Sequence, residues 1–173
     1  RTPDDSRFDQ QWGLNNTGQI SGGTPGADIN APEAWDLHRG SEDVVVAVID
    51  SGIDHDHLDL IDNMWVNTAE LNGKRNRDDD GNGFVDDVYG YDFANGDGDP
   101  MDDNNHGTHV AGIIAAVANN AIGVAGGAPG VKIMPLKITN ANGAAYLHNA
   151  IFALIDALIY GADISNHSYG TYS

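Results

Sequence analysis

The hydrophobic pattern of the chain predicts three strands separated by two helices. Residues 44–49 are apolar and mostly β-branched without alternation, which is typical of a strand buried on both faces of a parallel sheet. Residues 131–138 and 163–168 are expected to form two further strands, and helical patterns occupy 106–118 and 146–160. Strands that alternate with helices in this order predict an α/β fold with a mostly parallel sheet.

The two predicted helices differ in the arrangement of their polar residues. Residues 106–118 have almost no polar face, and a helix that is apolar all round is expected to be covered on every side. Residues 146–160 are amphipathic, with Asn149 and Asp156 on a narrow stripe that is expected to face solvent. The side chains expected to face inward are aliphatic: Leu147, Ile151, Leu154, Ile155 and Leu158.

Two regions lack a regular pattern. Residues 1–30 are rich in glycine and asparagine turns and predict an extended arm that lies over the domain. Residues 54–103 are polar and irregular apart from a strand-like stretch at 86–93, and so long a loop region usually has an organiser of its own. No repeat or linker is visible, so we expect one domain, with the arm followed by an α/β core with acidic loops at 31–173.

The composition narrows the range of functions that the chain can have. Lys and Arg total 8 against 26 Asp and Glu, a formal charge of −18, which argues against nucleic acid and membranes as partners. The acids are clustered beside Asn and Gly, which favours bound calcium. There is no cysteine, so disulfides and thiol chemistry are excluded. A cysteine-free, calcium-stabilised chain is typical of a secreted protein, and we expect an extracellular location.

Two ionisable residues stand at the ends of the predicted core elements. Asp50 follows the first strand, where open α/β sheets place their active sites, although an Asp there can also simply turn the chain. His106 opens the apolar helix, with Asn104 or Asn105 available as its N-cap. A capping histidine is the alternative interpretation. If the carboxylate holds one imidazole nitrogen, the other nitrogen can accept a proton from a nucleophile.

Two motifs carry a family resemblance. Val-Ile-Asp-Ser-Gly-Ile-Asp around Asp50 and His-Gly-Thr-His-Val-Ala-Gly from His106 closely resemble the subtilisin-like serine peptidases, or subtilases, in which the acid also precedes the histidine. The resemblance implies a three-layer subtilisin-like fold and hydrolysis of peptide bonds by acyl transfer. His106 would be the general base and then the general acid, and Asp50 would orient it. Further matches lie at 32–35, 119–124 and 161–164.

The resemblance also implies a cleft in which a peptide or protein substrate lies as an added strand between two backbone segments. Small side chains in these segments would let another backbone come close. An ordinary loop and an ordinary strand end are the alternative. The corresponding residues are Gly143, Ala144, Ala145, Ser168, Tyr169 and Gly170.

The family's nucleophile motif, Gly-Thr-Ser-x-Ala, is absent from the chain, and Gly170-Thr171-Tyr172-Ser173 is only a superficial echo of it. The asparagine that donates to the oxyanion would belong to a segment beyond residue 173. We therefore expect the N-terminal part of a subtilase catalytic domain, nicked, split or truncated after Ser173. It would be inactive and poorly folded without a companion polypeptide that carries the serine. The alternative is a non-catalytic pseudoenzyme or calcium-binding module.

Calcium binding is expected at two places. By resemblance, one site takes side chains of Asp5, Asp59 and Asn120. Hard oxygen ligands of mixed side-chain and carbonyl origin suit Ca2+. The carbonyls would come from Val117 or Ala118, Ile122 and Val124.

The second calcium site follows from the residues themselves. Residues 78–87 match the first part of an EF-hand loop, with the Glu of position twelve replaced by Tyr89, so that Asp86 or Asp87 must substitute for it. A merely solvated acidic loop is the alternative. The other ligands would be Asp78, Asp80, Asn82 and the Phe84 carbonyl.

Two further clusters allow metal interpretations. A looser acidic group, equally compatible with calcium and with solvation, comprises Asn95, Asp97, Asp99 and Asp102. Histidines 55, 57, 106 and 109 raise the question of zinc, but His106-x-x-His109 lacks the spacing and the Glu of a zinc peptidase helix. His109 is instead expected to be a core histidine with satisfied hydrogen bonds.

Overall fold

The computed structural model describes residues 1–170 and contains one parallel sheet in the order β2-β3-β1-β4. The strands are β1 (Val45–Asp50), β2 (Tyr91–Asp92), β3 (Lys132–Lys137) and β4 (Ile164–His167). All paired strands run parallel. The three predicted strands are therefore confirmed, whereas only two residues of the strand-like stretch 86–93 join the sheet.

Residues 1–170 contain four α-helices, the first of which precedes β1, while the other three lie between successive strands. They are α1 (Ala31–Leu37), α2 (Thr68–Leu71), α3 (His106–Ala115) and α4 (Leu147–Ile159). The short helix α2 lies in the region that was expected to be irregular, and α3 ends before residue 118. None of the helices within residues 1–170 has the length and apolar character needed to cross a bilayer.

The central strand β1 divides the core into two halves. Val46 and Val48 belong to the cluster that α3 covers, whereas Ala47 and Ile49 belong to the cluster that α4 covers. All five residues from 46 to 50 are buried, as expected for a strand without alternation. The result is a sheet between two helical layers, which confirms the α/β fold class.

The orientation of α4 is the reverse of the prediction. The five aliphatic side chains expected to face inward are exposed, by 78% for Leu147 and 77% for Leu158, whereas Asn149 and Asp156 are buried. The face that contacts the sheet contains Ala153 and Ala157, which are small enough for the helix to approach closely. The buried residues are polar or small, so the periodicity identified the helix but assigned its faces wrongly.

Helix α3 is covered on one side only. Ala111 and Ala115 are fully buried against the sheet, but Ile113 is 61% exposed. The expected cover on every side is therefore not present within residues 1–170.

The N-terminal arm packs on the α3 side of the molecule. Phe8 is buried against Trp35 of α1, with 6.0 Å between the ring centroids. The Gln11 amide exchanges two hydrogen bonds of 2.8 Å with the backbone of Ala125. These contacts fix the arm against the loop that follows α3.

Candidate active site

The carboxyl end of β1 and the first residue of α3 bring Asp50 and His106 together. His106 Nδ1 lies 2.7 Å from Asp50 Oδ1, which also accepts a hydrogen bond from the Ser51 backbone amide. The Asp50 side chain is 4% exposed and the His106 side chain 52%. With Nδ1 protonated and donating to Asp50, the imidazole presents an unprotonated Nε2 that can accept a proton.

The close approach of α3 to β1 depends on a glycine. Gly107 N donates to Ser51 Oγ at 2.9 Å. A Cβ built at Gly107 would collide with the Gly52 carbonyl and lie 3.2 Å from Asp50 Oδ1. Any larger residue would push the helix, and His106 with it, away from the acid.

The N-terminus of α3 is capped by an acid rather than by the expected asparagine. Neither Asn104 nor Asn105 makes a side-chain cap, and Asn104 Nδ2 donates instead to the Ala141 carbonyl. Asp102 Oδ2 accepts from Thr108 N at 2.9 Å and from Thr108 Oγ1 at 2.6 Å, and Oδ1 accepts from Ser51 Oγ. Burial raises the pKa of Asp102, but these hydrogen bonds outweigh it and the net pKa is lowered.

A cavity of about 330 Å³ opens beside the Asp50–His106 pair. Its lining includes Gly143 and, from the segment after β4, Ser168, Tyr169 and Gly170. Two of the predicted substrate residues lie outside the lining. The Ala144 carbonyl accepts from Asn140 N, and Ala145 pairs with Thr139 in an isolated bridge, so these two residues close the turn that presents Gly143.

The first predicted calcium site brings its side chains together. Asp5 and Asp59 are buried, at 5% and 2% exposure. Asp5 Oδ2 accepts from Asn119 N at 2.9 Å, and Asp59 Oδ1 accepts from Asn120 Nδ2 at 2.8 Å. The arm residue Asp5 and the core residue Asp59 thus converge on one loop.

The backbone of that loop is compatible with a cation. The carbonyls of Val117, Ile122 and Val124 accept no hydrogen bond from any residue in the range 1–170, and such free carbonyls are suitable ligands for a hard cation. Gly123 has a φ of 43°, and a Cβ there would collide with Asp59 Oδ2. The donor set and the close approach fit calcium.

In the second predicted site, Asp80 and Asp87 lie close together, whereas Asp78 bonds to the backbone of its own loop. Asp78 Oδ2 accepts from Gly83 N at 2.9 Å, which closes the loop. Oxygens of Asp80, Asp87 and Glu70 lie within 4.8 Å of one another, and within residues 1–170 they are the only such group of three acids or histidines. This group could hold a metal ion and lacks histidine, so the zinc interpretation gains no support.

Glu70 was not identified from the sequence. It lies on α2 and accepts three backbone amides of the acidic loop, from Asp79, Asp80 and Asp86. Glu70 lies three residues after the N-cap Asn67, which is the position of the Glu in a capping box. Such a pattern in the sequence indicates the start of a helix and does not indicate that Glu70 belongs to the acidic group.

Residues of and just after α4 complete this acidic group. The Tyr160 hydroxyl lies 2.7 Å from Asp80 Oδ2 and 2.9 Å from Asp87 Oδ2, and Tyr160 also contacts Asn82. Burial first, and then neighbouring acids, raise the pKa of Asp87 to about 6 and that of Asp156 to about 7. Both carboxylate oxygens of Asp156 are buried without a hydrogen-bond partner within residues 1–170.

The remaining clusters are not assembled. Asp102 caps α3, Asp99 lies 3.3 Å from His55 Nε2, and Asn95 donates to Asp92, so the looser acidic group is dispersed. His109 is exposed rather than buried, because it lies on the uncovered side of α3. The prediction of a core histidine was therefore wrong.

Comparison with known proteins agrees with the motifs. The family model described as "Subtilase family" matches residues 41–173. "Subtilisin-like protease 1" of Plasmodium berghei is 50% identical over 118 residues, which cover 68% of the chain and 20% of that protein. The "Thermophilic serine proteinase" of Bacillus sp. AK1 is 42% identical over 137 residues, covering 79% of the chain and 28% of that protein.

Solved structures give the same picture. A serine protease of Aeromonas sobria, in complex with the chaperone ORF2, superposes with a TM-score of 0.71 at 30% identity, covering 99% of the chain and 26% of that protein. The chain thus spans between a fifth and somewhat more than a quarter of the length of these three proteins.

Proposed function

The chain belongs to the subtilase family, and from this premise we propose that it supplies the acid and the base of a calcium-stabilised serine endopeptidase. The observation that carries the proposal is the 2.7 Å contact between Asp50 Oδ1 and His106 Nδ1 at the carboxyl edge of a parallel sheet. Open α/β sheets bind their ligands at this edge.

In the proposed reaction, His106 transfers protons and Asp50 fixes its orientation. Nδ1–H of His106 donates to Asp50, so Nε2 accepts the proton of a serine hydroxyl as the oxygen attacks the peptide carbonyl. The imidazolium is stabilised by the Asp50 carboxylate and then gives its proton to the leaving amine. Asp50 stays ionised throughout.

The substrate would bind through its backbone in the cavity beside His106. Gly143 and the segment from Ser168 to Gly170 line this cavity. An extended peptide between them would form hydrogen bonds like those of an added strand. The side chain of Tyr169 would contact the substrate.

The serine and the oxyanion donor would be contributed by a segment outside these 173 residues, as a continuation of the polypeptide or as a companion chain. The exposed faces of α3 and α4 support a covering segment of this kind, because Ile113 and Leu158 are apolar and exposed. Residues 1–173 would then be the N-terminal portion of one catalytic domain. We infer that this portion alone has no peptidase activity.

Calcium would be held at both predicted sites. Asp5, Asp59 and Asn120 would bind one ion together with the free carbonyls of the following loop. Glu70 joins the loop acids at the other site. The bound ions supply charge neutralisation and tie the arm and the acidic loop to the core. An extracellular location, where calcium is abundant, fits this requirement.

A fluorophosphonate label tests the peptidase proposal. We expect a serine on the segment that complements this chain to react in the complete protein, and the reaction to be lost in a His106→Ala variant. Residues 1–173 alone should not be labelled. A folded complete protein that is not labelled would instead support a calcium-binding pseudoenzyme.

A further inference from the structure

A buried lysine that the proposed reaction does not use lies beside Asp50. Lys137 is the last residue of β3 and pairs in register with Asp50 of β1, so both side chains point to the α3 face of the sheet. The Lys137 side chain is only 3% exposed. Lysine is almost never buried so deeply unless its charge is paired.

The Lys137 ammonium makes three polar contacts. Nζ donates to the Met101 carbonyl at 2.9 Å and lies 2.8 Å from Asp103 Oδ2. A third contact, of 3.5 Å, joins it to Asp92 Oδ2 at the end of β2. Two of these contacts hold the same segment, residues 101–103, which leads into α3.

Asp102 lies between those two contacts and links the acid to the base. Its carboxylate accepts hydrogen bonds from Thr108 in α3 and from Ser51, the neighbour of Asp50. One carboxylate therefore joins the helix that carries His106 to the strand that carries Asp50. Lys137 contacts the residue on either side of it, through the backbone carbonyl of Met101 and the side-chain carboxylate of Asp103.

We propose that Lys137 is a positioning residue: its ammonium holds residues 101–103 against the sheet, and Asp102 then sets the distance between Asp50 and His106. The inference rests on the peptidase function proposed above. Neither Lys137 nor residues 101–103 line the substrate cavity. The effect of losing the ammonium should therefore fall on turnover rather than on substrate affinity.

The test is Lys137→Met in the complete protein, with Lys132→Met as matched control. Lys132 lies on the same strand, and its Nζ donates to the Asp62 carbonyl at 2.7 Å. Because displacing reacting groups by about 1 Å costs roughly 100-fold in rate, we expect kcat of Lys137→Met to fall about 10- to 100-fold with KM within about threefold. The control should stay near wild type.

A spectroscopic readout separates positioning from a general loss of structure. The Nδ1–H proton of His106, observed in protein with 15N-labelled histidine, reports the hydrogen bond to Asp50. We expect this resonance to move or disappear in Lys137→Met and to be unchanged in Lys132→Met. A folded Lys137→Met protein with wild-type kcat and an unmoved resonance overturns the proposal.

A milder variant decides the question if Lys137→Met does not fold. Asp103→Asn removes one ion pair at a partly exposed side chain, while the buried Lys137 ammonium keeps its contacts with Asp92 and the Met101 carbonyl. We expect a kcat loss of about three- to tenfold and a shifted His106 resonance, and unchanged values overturn the proposal. If wild type lacks peptidase activity, the proposed function fails, while the resonance still tests Lys137.

Discussion

Around the active site on the α3 side of the sheet, carboxylates contact a histidine, a lysine and a threonine, whereas the acidic group on the α4 side has neutral donors but no basic partner within residues 1–170. Asp50 meets His106, Asp102 accepts hydrogen bonds from Thr108, and the Lys137 ammonium lies among acids. On the other side, no ion pair within residues 1–170 involves Asp87, Asp156 or their neighbours Glu70 and Asp80.

The difference separates the Asp50–His106 pair, which the chain assembles from its own side chains, from the acidic group on the α4 side, which lacks a basic partner within residues 1–170. An ionised carboxylate buried without a partner costs several kcal/mol. The α4 side must therefore bind protons or a cation. The Asp50–His106 pair already has the geometry of a proton relay, and its two side chains contact each other directly.

The largest effect is expected from a substitution that disrupts the Asp50–His106 contact on the α3 side. Asp50→Asn keeps the shape of the side chain but stabilises the wrong imidazole tautomer, so we expect kcat of the complete protein to fall by about 10⁴-fold. Circular dichroism should remain that of wild type. Asp62→Asn, at an exposed aspartate, is the control and should keep full activity. An active Asp50→Asn protein would refute the proposed role of Asp50.

Removing calcium should act on stability instead. A ligand present at about 1,000 times its Kd stabilises the folded state by about 4 kcal/mol, so chelation of a tight site should lower the free energy of unfolding by about that amount. Urea denaturation with and without EDTA measures the difference. An unchanged midpoint in EDTA would remove calcium from the proposal.

The Asp87→Asn variant measures how much of the stability lost on calcium removal comes from the acidic loop. With calcium present the variant should be less stable than wild type, because a ligand is lost. In EDTA it should be more stable at neutral pH, because burial and neighbouring acids raise the pKa of Asp87 to about 6. A loss of stability no larger with calcium than in EDTA would show that Asp87 does not bind the ion.

The pH dependence of the free energy of unfolding in EDTA should reflect the buried acids on the α4 side. Asp156 has a pKa of about 7 in the fold against an ordinary value of 3.8, so the folded state binds the proton more tightly than the unfolded chain. The contribution of protonated Asp156 to the free energy of unfolding is therefore fully present below about pH 4 and is lost as the pH rises towards 7. One pKa unit corresponds to about 1.4 kcal/mol, so a pKa raised from 3.8 to about 7 predicts a loss of about 4 kcal/mol.

Asp156→Asn checks the origin of that slope. The variant should be flatter between pH 4 and 7 than wild type in urea denaturation at each pH, with a residual slope from Asp87. Asp62→Asn removes an equal charge from the surface and should keep the wild-type slope. A slope in Asp156→Asn equal to that of wild type would show that Asp156 titrates normally.

Much of the α3 side could be predicted because its signals are local. An uninterrupted apolar run identified β1, and the residues directly after it and at the start of α3 proved to be in contact. The capping of α3 could not be predicted in the same way. Asp102 was assigned to an acidic cluster, because nothing in the sequence shows that it reaches Ser51 and Thr108.

The α4 side was predicted less well because its contacts are distant in sequence. The acidic loop was recognisable from its own spacing, but Glu70 and Asp156 join it from two helices. The helical periodicity of α4 was correct, yet the apolar stripe was assigned to the core. That assumption fails for α4, because alanines pack this helix closely against the sheet and its larger aliphatic side chains are exposed in the described residues.

The smallest effect is expected on the exposed face of α4, where two adjacent residues give a matched pair. Leu158 is 77% exposed and Ala157 is 3% exposed. In residues 1–173, Leu158→Gln should change the free energy of unfolding by less than about 0.5 kcal/mol, as surface substitutions usually do. Ala157→Gln places a larger polar group against the sheet and should cost about 1–3 kcal/mol or more. Equal losses in urea denaturation would mean that the apolar face of α4 is covered within these residues, and the exposed faces would no longer support a completing segment.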